Sequence, residues 1–201
     1  GGHAKVVIDI ARLMGYQVVA VFDDNEQKHG QFLWDIPIRG DHQSLVSFAQ
    51  QENITHFFVA LGNNDIRLKL AQLFQQAGLL AATLIHPKAV VASHVKIGAG
   101  TVIMAGVCIN ADVEIGQQVI INTGAVVEHD CFIADAVHIA PTVALCGAVS
   151  IGRQSLVGVG AKVIPSIKIG QSAIIGAGAV VVNNIADYQK VVGVPAKLLG
   201  S

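Results

Sequence analysis

The chain has 201 residues, of which 52% are hydrophobic, 13% charged and 5% aromatic, and its formal net charge is −1. So apolar a composition excludes a disordered tail, and the lack of a Lys/Arg block excludes the basic stripe expected of a nucleic-acid or anionic-membrane binder. No uninterrupted apolar run of about 18 residues occurs, so no membrane-spanning helix is expected.

Lys5–Met14 reads as a helix ending at Gly15, and Gln17–Phe22 as an apolar strand running into Asp23-Asp24-Asn25. A short strand follows at Ile36–Ile38, then a helix at Gln43–Gln51. Thr55–Leu61 reads as a buried strand ending in Gly62-Asn63-Asn64. Asp65–Ala77 reads as a helix stopped by Gly78, and Ala82–Ile85 as a last strand. Strands alternating with helices imply a small parallel, Rossmann-like α/β domain over residues 1–84. Its first strand is expected ahead of Gly1, which stands where a start methionine would.

From Ile85 the rhythm changes. Every sixth residue from Ile85 to Val181 is Ile, Leu or Val, without insertion. The residue four places further on is also small or aliphatic, as in Val107, Ala125, Cys131 and Ala161, and Gly often follows the aliphatic position, where it would help the chain turn. A period of six does not fit an α-helix, whose apolar face recurs at 3.6. It fits short flat strands joined by tight turns, three to a triangular coil of 18 residues, with coils about 4.8 Å apart. Each coil buries its interior against its neighbours, which explains the many repeats. Residues 85–201 are therefore expected to form a parallel β-helix with a C-terminal tail.

These hexads resemble those of the hexapeptide-repeat acyltransferases. The order of Gly2-His3-Ala4-Lys5, Phe22-Asp23-Asp24, Gly62-Asn63-Asn64-Asp65-Ile66-Arg67, Ile85-His86-Pro87, Ile121-Asn122-Thr123, Glu128-His129-Asp130, His138 and Gly193-Val194-Pro195-Ala196-Lys197 is similar to that of the PglD/NeuD-like sugar acyltransferase family. The resemblance covers essentially the whole chain, with Asp130 where relatives often carry Glu. It implies a left-handed β-helix, a homotrimer with sites between subunits, and a bacterial enzyme of glycan biosynthesis. It implies acetyl transfer from acetyl-CoA to the amine of a UDP- or dTDP-linked 4-amino-4,6-dideoxy sugar. O-acetylation of a sialic acid is the neighbouring activity of the same family.

Amide formation needs a base for the amine proton and donors for the thioester oxyanion. His129 titrates near neutrality and, with Val127 pointing inward, falls at a corner of the prism; it is either that base or a solvated corner residue. Asp130 would hold its ring, and Gly147, one coil later, would offer a backbone N–H to the oxyanion. Asn122 would contact the sugar or a water, or satisfy its own turn. The resemblance gives His138 a contact to acetyl-CoA near the thioester, and gives the tail a closing role in which Lys197 meets a CoA phosphate or solvent. Small residues at Gly158, Gly160, Ala161, Gly176 and Ala177 (with Gly178) would let the pantetheine arm lie close to the backbone. Gly2 and His3, opening a helix, would favour phosphate. Asp23 and Asp24 at one strand end, with Gly62, Asn63 and Arg67 at the next, would bind the nucleotide; Arg67 is alternatively a solvated helix residue.

Cys108, Cys131 and Cys146 fit no zinc spacing and no disulfide framework, and the chain shows no leader pattern, so a reducing, cytoplasmic setting is expected. Cys131 takes an inward position and is expected to be a packed thiol, not a nucleophile. A zinc carbonic anhydrase on such a fold needs three converging histidines; His86, His94, His129 and His138 share no column at a multiple of 18, so no metal is expected. A non-catalytic β-helix scaffold is the remaining rival, and the polar cluster at Asn122, His129, Asp130 and His138 argues against it.

Overall fold

The computed structural model describes residues 1–199. The chain opens with helix α1 (Gly2–Leu13) and strand β1 (Val21–Phe22), followed by β2 (Phe32–Leu33), β3 (Ile36–Gly40), helix α2 (Leu45–Gln51), β4 (His56–Phe57), helix α3 (Asn64–Gln76) and β5 (Leu80–Ala81). Val7, Ile10 and Ala11 of α1 are buried, the i, i+3, i+4 spacing of a helix lying on a core. Phe74 of α3 meets Phe57 edge-on at 5.2 Å, within a small cluster that includes Ala49, Val59 and Leu79.

The strands of this front part are shorter than the sequence suggests. β1 pairs parallel with β3, β3 antiparallel with the unexpected β2, and β4 parallel with β5. Residues 17–20 and 58–61 run on without a sheet partner. They face one apolar cavity of about 580 Å³, also lined by Val7, Ile8 and Ala11. The backbone there has no neighbouring strand to pair with, so regular pairing stops at two residues.

From Leu84 onward seventeen two-residue strands follow at six-residue intervals, ending at Val180–Val181. They form three parallel sheets. The first face contains Ile120–Ile121 and His138–Ile139, the second Val126–Val127 and Ala144–Leu145, and the third Phe132–Ile133 and Ser150–Ile151. Every pairing joins residues 18 apart, as Val127 with Leu145. This is the expected parallel β-helix. The aliphatic residues at every sixth place from Ile103 to Val181 are at most 4% exposed, each contributing about 1.5–3 kcal/mol of burial. The tail strands Lys190–Val192 and Lys197–Leu198 extend the first face.

The role assigned to the glycines after the aliphatic residue is corrected. The turn is made elsewhere: every sixth residue from His94 to Gly178 takes a left-handed φ of 50 to 72°, and only five of these are Gly. Gly98, Gly116, Gly152, Gly158 and Gly170 serve stacking instead. A Cβ on Gly158 would lie 2.6 Å from the Ile175 carbonyl oxygen of the next coil, so a larger residue would force the coils apart.

The front part covers the first face. Val102 and Ile120 point outward from the prism yet are 0% exposed, because α1 joins them in one continuous core. Asn64 at the start of α3 donates to the Gln154 and Ser155 carbonyls at 2.9 and 3.1 Å.

Candidate active site

His129 stands at the corner between the second and third faces, with its side chain 62% exposed. Its Nδ1 lies 2.7 Å from Asp130 Oδ2. A carboxylate can only accept, so Nδ1 carries the proton and Nε2 presents its lone pair. The same hydrogen bond raises the imidazole's proton affinity above the usual value, helped by the Asp130 and Glu128 charges and opposed by partial desolvation. Glu128 is itself held by Asn110 Nδ2 at 2.7 Å.

The imidazole does not leave an open space over Gly147. A Cβ on Gly147 would lie 2.6 Å from His129 Cε1 and 2.8 Å from Nε2. The glycine makes room for the ring itself. The Gly147 N–H has no hydrogen-bond partner among the described residues. A lone-pair nitrogen and an unengaged backbone donor thus sit side by side, which is what proton abstraction from an amine and stabilisation of an acyl oxyanion require.

His138 lies on the first face, and that face is opposite the His129 corner in the triangle. Within one chain the prism separates the two histidines. His138 is largely buried beneath the front part. Burial, with the charge of Arg67 and the neighbouring His3, pushes its pKa down to about 4, and the Gly62 carbonyl opposes the shift. Asn122 Nδ2 is 3.2 Å from His138 Nε2, and Asn122 Oδ1 accepts from the Thr123 N–H at 2.8 Å. The structure therefore brings Asn122 to His138, not to His129.

Several sequence expectations are revised. Arg67 is neither a solvated residue nor a free substrate contact: it is 0% exposed and its donors all end on groups of the chain. Ala161 is also 0% exposed, an inward core residue that a pantetheine arm cannot reach. Gly158 is packed under the next coil and Gly176 under Val192 of the tail. Gly160 keeps an open surface, and Ala177 and Lys197 are exposed.

At the front, α1 begins at Gly2, with Gly1 as its cap, and His3 in its first turn has a buried Nε2 without a partner. Asp23 and Asp24 follow β1 and, with Gly1, are among the residues lining the cavity. Asp23 accepts from Lys28 at 2.7 Å. Asp24 accepts from the backbone N–H of His42 at 3.0 Å and lies 2.7 Å from its ring; the sequence reading did not single out His42. Gly62 is open on its Cα side, whereas the Asn63 side chain caps α3 by accepting from the Ile66 N–H at 3.0 Å. Among the described residues no group of three or more His, Cys, Asp and Glu is placed to hold a metal. No helix among them is long and apolar enough to cross a membrane.

Known proteins share this architecture and order. Residues 1–74 match the PglD N-terminal domain. The perosamine N-acetyltransferase of Caulobacter crescentus, solved with CoA and GDP-perosamine, is 43% identical, with a TM-score of 0.95 over 100% of this chain and 94% of that one. The GDP-perosamine N-acetyltransferase of Escherichia coli O157:H7 is 35% identical over 108 residues, which is 54% of this chain and 49% of that protein. The UDP-N-acetylbacillosamine N-acetyltransferase of Bacillus subtilis (strain 168) is 40% identical over 107 residues, 52% of this chain and 48% of that protein. The chain thus spans about half the length of these curated relatives it matches. Its likeness to the Caulobacter structure runs from end to end, and the chain belongs to the PglD-like family of sugar N-acetyltransferases.

Proposed function

We propose that this chain transfers the acetyl group of acetyl-CoA to the amine of a nucleotide-linked 4-amino-4,6-dideoxy sugar. The observation that carries the reading is the placement of His129 Nε2 against Gly147 with Nδ1 held by Asp130. In this reading the sugar ammonium first gives one proton to solvent, Nε2 takes the second from the amine nitrogen as it attacks, and Asp130 stabilises the resulting imidazolium. The amine nitrogen attacks the thioester carbonyl carbon, and the Gly147 N–H receives the oxyanion. Collapse breaks the C–S bond, and the departing thiolate takes the proton back from His129. Every bond change is balanced without a covalent enzyme intermediate, so Cys131 has no step to perform.

Residues 1–84 act as the nucleotide-sugar part and residues 85–201 as the acetyl-transfer part. The nucleotide lies against Gly2, His3, Asp23, Asp24 and Gly62. Acetyl-CoA runs along Gly160 and Ala177 to Lys197. Because the prism separates His129 from His138, a complete cleft requires a second copy, as in a cyclic trimer. The second face supports this, since its outward residues Val90, Cys108, Val126 and Ala144 form an apolar stripe that remains partly or fully exposed. The setting is cytoplasmic, where acetyl-CoA is supplied.

The names of the relatives widen the nucleotide choice: GDP-perosamine is bound by the 43% identical protein, and a UDP-sugar names another relative. The test is acetyl-CoA with a panel of GDP-, UDP- and dTDP-linked amino sugars and free sialic acid, read as release of free CoA. Turnover on one nucleotide amino sugar is expected, falling at least about 100-fold in His129→Ala, the usual loss for a general base. Acetylation of sialic acid alone, no release with any acceptor, or near-normal turnover in the variant would each refute the reading.

A further inference from the structure

The wall of the first face holds a buried charge with no carboxylate on it among the described residues. Arg67 Nε donates to the Gln118 carbonyl at 2.8 Å. Nη1 donates to the carbonyls of Leu61 and Gly62 at 3.0 and 3.5 Å. Nη2 donates to Asn64 Oδ1 at 2.9 Å and to the Ala136 and Val137 carbonyls at 3.0 and 3.4 Å. Gln118 and Ala136 occupy one corner on successive coils, both at left-handed φ. A single rigid fork therefore ties the loop ahead of α3 to the residues just before His138.

The protonation of His138 follows from hydrogen-bond roles. Asn122 Oδ1 accepts from the Thr123 N–H, so Nδ2 is the end that faces His138 Nε2. An amide nitrogen only donates, hence Nε2 accepts and the ring proton resides on Nδ1. The chain of contacts thus runs from the Thr123 N–H through Asn122 to His138, and the Gly62 carbonyl favours the protonated ring against its burial.

We propose that Arg67 is a positioning residue: by clasping Leu61 and Gly62 to Ala136 and Val137, it fixes the wall on which His138 stands and so locks that ring against Asn122 with its proton on Nδ1 and an accepting Nε2. Burial and the cationic Arg67 act against a second ring proton, and the neighbouring His3 is itself held below its usual proton affinity by burial and by Arg67. An accepting Nε2 cannot stabilise an oxyanion. With Nε2 already accepting from Asn122 Nδ2, His138 offers no N–H there to an oxyanion, and oxyanion stabilisation falls to Gly147. That last consequence rests on the function proposed above; the tautomer does not.

The test is two-bond ¹H–¹⁵N correlation spectroscopy on the full chain labelled at histidine. In the wild type His138 should show a protonated Nδ1 and a bare Nε2 from pH 5.5 to 8 (a window set well above the depressed pKa) without titrating. Asn122→Ala and Arg67→Lys should each give a mixed or titrating ring. A protonated Nε2 in the wild type, the wild-type tautomer retained in Asn122→Ala, or a wild-type spectrum from Arg67→Lys would overturn the proposal. Should Arg67→Lys fail to fold, the first two spectra decide. These readings need no turnover, so a chain that released no CoA would refute the proposed function and leave this inference to its own test. In an active enzyme, His138→Gln should lower kcat/KM about tenfold, and adding Arg67→Lys should lower it no further, because the two residues act as one unit; multiplied losses would contradict the clasp.

Discussion

The His129 ring rests on Gly147, the residue one coil later on the same corner, at a separation that a single Cβ would reduce to 2.6 Å from Cε1. Gly147→Ala is therefore expected to swing the imidazole off its seat without unfolding the prism, since this corner faces solvent. Turnover should fall about 10- to 100-fold, in line with the sensitivity of proton transfer to sub-ångström geometry. Steady-state kinetics and a thermal melt on the same sample check this. Wild-type turnover would mean that the ring's seat is unimportant.

Asp130 makes a specific prediction about pH. Its hydrogen bond raises the pKa of His129 above the ordinary imidazole value, and a general base works only when neutral. The acid limb of kcat/KM should thus lie above pH 6.5. In Asp130→Asn the neutral form persists to lower pH, so the limb moves down while the maximal rate drops with loss of imidazolium stabilisation. A pH–rate profile of both forms measures the direction, and an upward shift in the variant would contradict the assignment.

Arg67→Met removes every donor from a group of buried carbonyls, including those of Gln118 and Ala136. Acceptors stranded in this way cost about 3 kcal/mol in total, which lowers the melting temperature by about 6–12 °C for a chain of this size. Arg153→Met, at an exposed corner, is the control and should melt within about a degree of the wild type, since surface changes stay near ±0.5 kcal/mol. Calorimetry on both variants checks it.

Cys131 is 1% exposed and donates to the Cys146 carbonyl at 3.2 Å; burial pushes its thiol up to about 11. The thiolate is the reactive form, so this residue should resist iodoacetamide at pH 8 in the native protein, and Cys131→Ala should retain turnover within about threefold. Mass spectrometry of the alkylated protein and kinetics of the variant test both statements. A hundredfold loss would instead point to a covalent route.

Much of the corner site could be read from register. Val127 and Leu145 are inward, so His129 and Gly147 must be successive residues on one edge, and the count of 18 places them without coordinates. Cys131 was legible for the same reason. Arg67 was not, because nothing in a helix sequence shows that the carbonyls of Gln118 and Ala136 are stacked on a distant wall to receive it. Ala161, Gly158 and Gly176 misled in the opposite direction: small residues permit either a ligand or a neighbouring coil, and only packing shows that the coil or tail has taken the space. The Asn122–His138 contact was missed because the two are 16 residues apart, close to one coil, yet a side-chain hydrogen bond depends on rotamers that spacing does not specify.

By itself the amino-acid order determined the β-helix, its three-sided coil and the edge on which His129 stands, since a strictly periodic aliphatic pattern has one economical way to bury itself. Tertiary structure alone decided which face the front part covers, how Arg67 ties loop to wall, and the proton position on His138. Those depend on where unpaired carbonyls and amides from distant segments meet, and such meetings leave no period in the sequence.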